Sequence, residues 1–152
     1  MAQNFQADVR IGKVAEEIFL QHISKPGTIS LQITGRWKWW DVMVFDKTNT
    51  TYEIKNDSWI KKTGNLCIEL WSHKKLEHLG WIHYSSADYL VYFMSATEYL
   101  QIPMQTIRDY IAIPENMKGK RKVSGWTKGN PNVQNVLIPY TEFTTTIHKI
   151  GE

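Results

Sequence analysis

Apolar residues recur at helical spacing from about Asp8 to Ser24, where Ile11, Val14, Ala15, Ile18 and Phe19 fall on one side and Asp8 is placed to cap the start. Lys25-Pro26-Gly27 stops that helix, and the period then changes to two. Thr28 to Thr34 alternates through Ile29, Leu31 and Ile33, predicting a first strand, and Trp39 to Phe45 predicts a second. Asp46 to Thr50 has turn chemistry, and Thr51 to Lys55 predicts a third strand. Beyond a polar insert at 56–65, Leu66 to Trp71 predicts a fourth strand. The continuous apolar run from Asp88 to Met94 predicts a fifth, buried on both faces. Pro103 to Ile113 has helical spacing with proline at its start, Asn135 to Pro139 reads as a last strand, and Tyr140 to Ile150 as a short terminal element. A helix, a run of strands and a second helix predict an α/β fold: a central mixed β-sheet flanked by α-helices, built as one domain over residues 1–152.

Three charges break into this pattern. Asp41 follows Trp39-Trp40 and precedes Val42-Met43-Val44, and Glu53 and Lys55 alternate with Tyr52 and Ile54. A charge in so apolar a strand is costly unless it has a partner. If the second and third strands form a hairpin centred near Thr48, Asp41 lies opposite Lys55 and Met43 opposite Glu53. Asp41, Glu53 and Lys55 then share one face, because side chains alternate with period two. The other face carries Trp40, Val42, Val44, Tyr52 and Ile54 as a core surface. A slip of one residue would send Asp41 to the wrong side. Neighbouring carboxylates repel unless a cation or proton intervenes, and two of them with a main-chain oxygen and a phosphate suit Mg²⁺. The alternative is a surface hairpin with a cross-strand salt bridge between Asp41 and Lys55, which needs no function.

Length and composition narrow the setting. The chain has 152 residues, 42% hydrophobic and 22% charged, enough for one globular core and too apolar for disorder. The formal charge of +3 permits a polyanionic partner without requiring one. A single cysteine, Cys67, excludes an intrachain disulfide and a cysteine-based zinc site, and its place between Leu66 and Ile68 predicts an inert core thiol. No apolar stretch approaches the roughly 20 residues that span a bilayer. The N-terminus lacks the build of a signal peptide, so the expectation is a soluble, intracellular protein with no membrane partner.

At the charged trio the chain resembles the PD-(D/E)xK nuclease superfamily, the restriction-endonuclease-like fold, and in particular its small phage-type members. The signature of that family is an aspartate on one strand and an acid-x-lysine on the next, usually preceded by a helix bearing a glutamate. Asp41, Glu53 and Lys55 match the strand elements, and Gly12-Lys13-Val14-Ala15-Glu16 resembles the helix element, with Glu17 the competitor to Glu16. The likeness extends through Thr63 to Glu69 and Ser85 to Tyr89 and leaves the C-terminal third uncovered. The proline that names the motif is absent, with Trp40 in its place. The resemblance implies an endonuclease that hydrolyses DNA phosphodiester bonds with Mg²⁺, for which Mn²⁺ substitutes. Asp41, Glu53 and Glu16 would hold metal and Lys55 would assist the nucleophile. Glu69, on the following strand, is a second-tier candidate. Branched DNA, phage DNA processing and a homodimer enter by analogy alone. A non-catalytic nucleic-acid-binding module and a phosphoesterase acting on RNA or nucleotides are the rival readings.

A basic segment at 115–130 remains. Lys118, Lys120, Arg121, Lys122, Trp126 and Lys128 combine positive charge with an aromatic ring and flexible glycines, a composition that can hold phosphates and stack a base. A plain solvated loop explains it equally well. Lys61-Lys62 and Lys74-Lys75 could extend the same surface. His73, His78 and His83 recur every five residues, a spacing that fits neither a helix face nor a strand face. No serine-hydrolase elbow and no phosphate-cradling glycine loop occurs.

Overall fold

The structure is a computed structural model; it describes residues 2–24, 29–32, 39–45, 47–124 and 131–151, with the side chains of residues 2–11 left aside. The chain begins with helix α1 (Ala2–Ile23), six residues longer at its start than the apolar spacing predicts, so that Asp8 lies inside the helix and does not cap it. Three strands follow: β1 (Ile29–Gln32), β2 (Val42–Phe45) and β3 (Thr50–Asn56). The one-turn helix α2 (Ile60–Thr63) leads to β4 (Asn65–His73), and β5 (His78–Leu79) folds back along it. Next come the short helix α3 (Trp81–Tyr84), strands β6 (Tyr89–Ser95) and β7 (Glu98–Pro103), and helix α4 (Met104–Ala112). The C-terminal part holds α5 (Pro114–Met117), β8 (Lys122–Ser124), β9 (Gln134–Pro139) and β10 (Ile147–Lys149).

The fold is a mixed α/β arrangement, but its strands form two sheets where the sequence pattern predicts one. A six-stranded sheet runs β1-β2-β3-β6-β7-β10, and a four-stranded sheet runs β5-β4-β9-β8. The larger sheet is antiparallel except where β3 pairs parallel with β6. The smaller sheet is antiparallel throughout.

Alternation along each strand explains the two cores. Val42, Ile54, Val91 and Phe93 point to one face of the larger sheet, where α1 covers them with Ala15 and Phe19. Leu90, Tyr92, Leu100 and Ile102 point to the other face, into a core shared with Leu66, Ile68, Val136 and Ile138 of the smaller sheet and with α3 and α4. Trp40, expected among the α1-facing residues, packs instead against this core between the sheets. Each fully buried Leu or Ile here contributes on the order of 2 kcal/mol. Tyr92 joins the two sheets with polar contacts as well: its hydroxyl accepts from Cys67 N (3.0 Å) and donates to Asp57 Oδ2 (2.9 Å). Cys67 itself is half-buried on the side of β4 opposite Leu66 and Ile68, not in the core as expected.

Two local features set the path of the chain past β3. Gly64 closes α2 in the left-handed conformation (φ 70°), with its N–H on Ile60 O at 2.7 Å. The turn between β2 and β3 places Asn49 at φ 51°, a conformation that asparagine tolerates better than most residues. Among the described residues no helix is long and apolar enough to cross a membrane.

Candidate active site

The β2–β3 hairpin brings the charged trio together through a register different from the expected one. Val42 pairs with Tyr52, Met43 with Thr51 and Val44 with Thr50, so paired numbers sum to 94 and the turn centres one residue earlier than Thr48. Continued by one pair, this register puts Asp41 opposite Glu53, in place of the predicted Lys55. The difference is two residues, an even number, so Glu53 and Lys55 keep the side away from Val42 and Ile54. That side faces the smaller sheet: Glu53 pairs with Leu90 and Lys55 with Tyr92, both members of the core between the sheets.

Asp41 lies just before β2, not within the strand as the pattern predicts. Its N–H donates to Tyr52 O (2.8 Å), and its Oδ2 accepts from Ile54 N (2.7 Å). The carboxylate therefore caps the end of the β2–β3 pairing, and its position is set by main-chain atoms on the strand that carries Glu53 and Lys55. Burial pushes its carboxyl up to about 6; Lys55 opposes that rise, Glu53 adds to it, the Ile54 N–H opposes it and Glu16 adds a little more.

Glu53 is 5% exposed and its two oxygens are both engaged. Oε1 meets Lys55 Nζ at 2.5 Å, and Oε2 lies 2.9 Å from Ser85 Oγ. Ser85 Oγ also lies 3.0 Å from Trp39 O, but that carbonyl already accepts from Ser86 N at 2.7 Å. The single hydroxyl proton is best placed on the carboxylate, where a charge-assisted bond is stronger. Burial works against the charge on Lys55, yet Glu53 and Asp41 together outweigh it and hold the ammonium above its usual value. Lys55 also stands 5.3 Å from the centre of the Trp81 ring. It is a fixed cation, not a proton acceptor.

Three further groups border the trio, and the sequence reading singled out only Glu69. That residue lies on β4, where Trp81 N donates to its Oε1 at 3.3 Å. Burial raises its carboxyl, while the Trp81 N–H and Lys55 lower it and Glu53 raises it again. Tyr84 feels the same charges. Burial lifts its phenol, Lys55 draws it back, and Glu69, Glu53 and Asp41 raise it. Ser85 is the third. Glu69 belongs to β4 and the other two to the α3 segment, far from the hairpin in sequence, and nothing in the spacing announces Tyr84 or Ser85. Arg108 of α4 holds the segment in place: its Nε donates to Ile82 O (2.9 Å) and its second guanidinium nitrogen donates to Ser85 O.

Glu16 is half-buried on α1 and Glu17 is exposed, so Glu16 is the acid turned toward the sheet. Its carboxylate accepts from Gln32 Nε2 of β1 at 2.7 Å. It reaches the site as the weakest of the influences on Asp41 and touches neither Glu53 nor Lys55. Of the basic segment, Lys118 and Lys122 are exposed, and Lys118 stands 3.9 Å from Glu115. Lys120 is tied to Glu142 at 2.6 Å, and Arg121 borders a cleft described below. Trp126 and Lys128 lie outside the described residues. The segment is not a simple loop, since α5 runs into its start and β8 falls within it.

Among the described residues, no three acidic, histidine or cysteine side chains converge into a ready cation cage. The donor chemistry nonetheless suits a hard cation: Asp41 and Glu53 offer only oxygens, and Glu69 stands near. Burial, and after it the nearby Glu53, raises the Asp41 carboxyl, so its charged form gains from any cation that enters. An ion there must compete with Lys55 for Glu53.

A pH-dependent stability follows from Asp41. An unfolded aspartate titrates near 4, and the folded one near 6. The stability tied to the neutral carboxyl is therefore complete below pH 4 and lost as pH rises through 6. Asp41→Asn keeps the acceptor for Ile54 N and never ionises. With EDTA present, it should match the wild type at pH 4 and exceed it by about 2 kcal/mol at pH 8. Thermal melts across that range check this; equal melting at both ends would mean that Asp41 is not the strained group.

Compared with protein-family models, with curated proteins and with solved structures, the chain matches none of them.

Proposed function

We propose that the protein is a Mg²⁺-dependent endonuclease that hydrolyses DNA phosphodiester bonds at the Asp41–Glu53–Lys55 site, on a restriction-endonuclease-like fold. The observation that carries this reading is the acid pair, a buried Glu53 and a half-buried, strained Asp41, held against a lysine that stays charged. A salt bridge between exposed side chains would need neither the burial nor the strain. The order helix glutamate, aspartate, Glu-x-Lys supports it too, with Glu16 on α1 turned toward the sheet, Asp41 immediately before β2, and Glu53 and Lys55 on β3.

Asp41 and Glu53 would hold the ion, with Glu16 and Glu69 in support. Mg²⁺ so bound would polarise the phosphodiester and lower the pKa of a bound water. Lys55, charged at any physiological pH, would offset the negative charge that grows on the phosphoryl oxygens. Freed from Glu53, its ammonium keeps the Trp81 ring as a rest. Ser85 would keep the Glu53 carboxylate oriented while the lysine moves. A homodimer belongs to the proposal, since two copies would offer one site to each strand of a duplex.

Incubation with plasmid, branched and single-stranded DNA tests the reading. Cleavage with Mg²⁺ or Mn²⁺, none with EDTA, and a loss of at least 100-fold in Asp41→Asn are the expected results. Cleavage that survives both Asp41→Asn and Lys55→Ala would overturn the mechanism. Binding without cleavage under any divalent ion would favour a non-catalytic nucleic-acid-binding module.

A further inference from the structure

The outer face of the smaller sheet is not flat. A cleft of about 330 Å³ opens between it and the chain leaving β3. Its walls are Trp59, Val123 and Leu137, with Asn65, Asn135 and Arg121 supplying polar and charged groups. The volume is at the small end of ligand sites, which are mostly apolar with a few placed polar groups. We propose that this cleft holds one unstacked nucleobase of a DNA strand whose backbone passes the Asp41–Glu53–Lys55 site. The proposal rests on the nuclease reading above for the identity of that strand.

Strand register places the cleft beside the site. On β4 and β9, Glu69 pairs with Asn135 and Cys67 with Leu137; on β8 and β9, Val123 pairs with Asn135. Paired residues share a face, so Glu69, Asn135 and Val123 form one row across the outer side of the sheet. One end of the row reaches toward the trio through Trp81, whose N–H donates to Glu69 Oε1 at 3.3 Å and whose ring centre lies 5.3 Å from Lys55 Nζ. Asn135, the middle of the row, is 4% exposed and lines the cleft. The chain joins cleft and trio as well: Asp57, which lines the cleft, follows β3 directly and lies two residues beyond Lys55, about 7 Å along an extended strand, so a base in the cleft and a phosphate at the trio fit neighbouring nucleotides of one strand.

The groups present suit a base better than a peptide or a lipid. Trp59 is 51% exposed and lines the cleft, so its ring is open to a stacking partner, and Lys62 stands 5.3 Å from the centre of that ring. That cation steadies the indole and adds positive charge at the rim. Its backbone is fixed too: Trp59 N donates to Asp57 Oδ1 at 2.9 Å, while Oδ2 of the same carboxylate takes the Tyr92 hydroxyl. Aromatic platforms hold bases by stacking, whatever their sequence. The amides of Asn65 and Asn135 can both donate to and accept from a base edge. Arg121, exposed and next to Leu137 through the bond from Leu137 N to Arg121 O (2.9 Å), can meet a flanking phosphate. A base can enter such a cleft only when it is unpaired, so this inference selects single-stranded, flapped or branched DNA over a plain duplex.

The test is binding in EDTA, where cleavage plays no part, with oligodeoxynucleotides carrying one 2-aminopurine. A single-stranded or flapped probe should show a changed 2-aminopurine signal and bind at least tenfold tighter than the blunt duplex. Trp59→Leu should weaken that binding about tenfold, Trp59→Tyr should restore most of it, and Arg121→Gln should lower the salt dependence by about one phosphate contact. Unchanged melting curves would confirm that the variants fold. If Trp59→Leu binds every probe like the wild type, or if duplex and single strand bind alike with no change in signal, the inference is overturned. A protein that binds through Trp59 yet never cleaves keeps the cleft and overturns the nuclease reading. One that cleaves single-stranded and flapped DNA undiminished in Trp59→Leu overturns the cleft alone.

Discussion

Lys55→Met should abolish detectable cleavage and also destabilise the fold, and the two losses have separate causes. The stability loss comes from Glu53. Buried and facing the core between the sheets, it would keep only Ser85 as a partner once the ammonium 2.5 Å away is gone. An orphaned buried charge costs about 3 kcal/mol or more. Adding Glu53→Gln removes the charge while keeping an acceptor for Ser85. The double variant should therefore melt close to the wild type and remain inactive. Recovery of cleavage by the double variant would show that neither the Lys55 ammonium nor the Glu53 carboxylate is needed for the chemistry. Chemical denaturation with a parallel nicking assay reads both effects.

Gly80→Ala should be the more disruptive single change away from the trio. A Cβ at Gly80 would lie 2.1 Å from Glu69 O and 2.5 Å from Glu69 C, and these are main-chain atoms that cannot swing aside. Gly80 donates to Leu70 O at 2.9 Å, a contact that seats α3 against β4. Its backbone is ordinary for any residue (φ −75°), so the cost is purely steric. We expect a loss of about 3 kcal/mol or more. Cleavage should fall with it, because α3 carries Trp81, which donates to Glu69 and lies under Lys55, and leads into Ser85. A thermal melt within a degree or two of the wild type would mean that α3 packs against β4 differently. Arg108→Ala tests the same segment more gently. Loss of its two bonds to Ile82 and Ser85 should lower activity more than it lowers stability.

The hairpin was legible in the sequence because period-two alternation forces it, and its face assignment survived a wrong register because the shift was even. Had the shift been a single residue, the trio would have been split. The division into two sheets was not legible. Leu66 to Leu70 alternates as any half-covered strand does, and only its pairing with Gln134–Pro139, some seventy positions away, separates it from the larger sheet. Strand β7 was missed for a related reason. Glu98–Pro103 is short, and it merges into the helix whose proline was read as a start. At the site, Asp41, Glu53 and Lys55 were visible as charges in apolar strands. Ser85 and Tyr84 were not, since a serine and a tyrosine before a strand are commonplace until the fold sets them against Glu53 and Lys55. Glu69 was found only by following the strand after Lys55.

The most direct test of the acid–lysine site is a crystal grown with Mn²⁺ and read by anomalous scattering. The account predicts one peak between the carboxylates of Asp41 and Glu53, with Lys55 Nζ drawn away from the Glu53 Oε1 that it meets at 2.5 Å without metal. A protein that cleaves DNA with Mn²⁺ while its crystals keep the Lys55–Glu53 pair intact and place the ion elsewhere would contradict it.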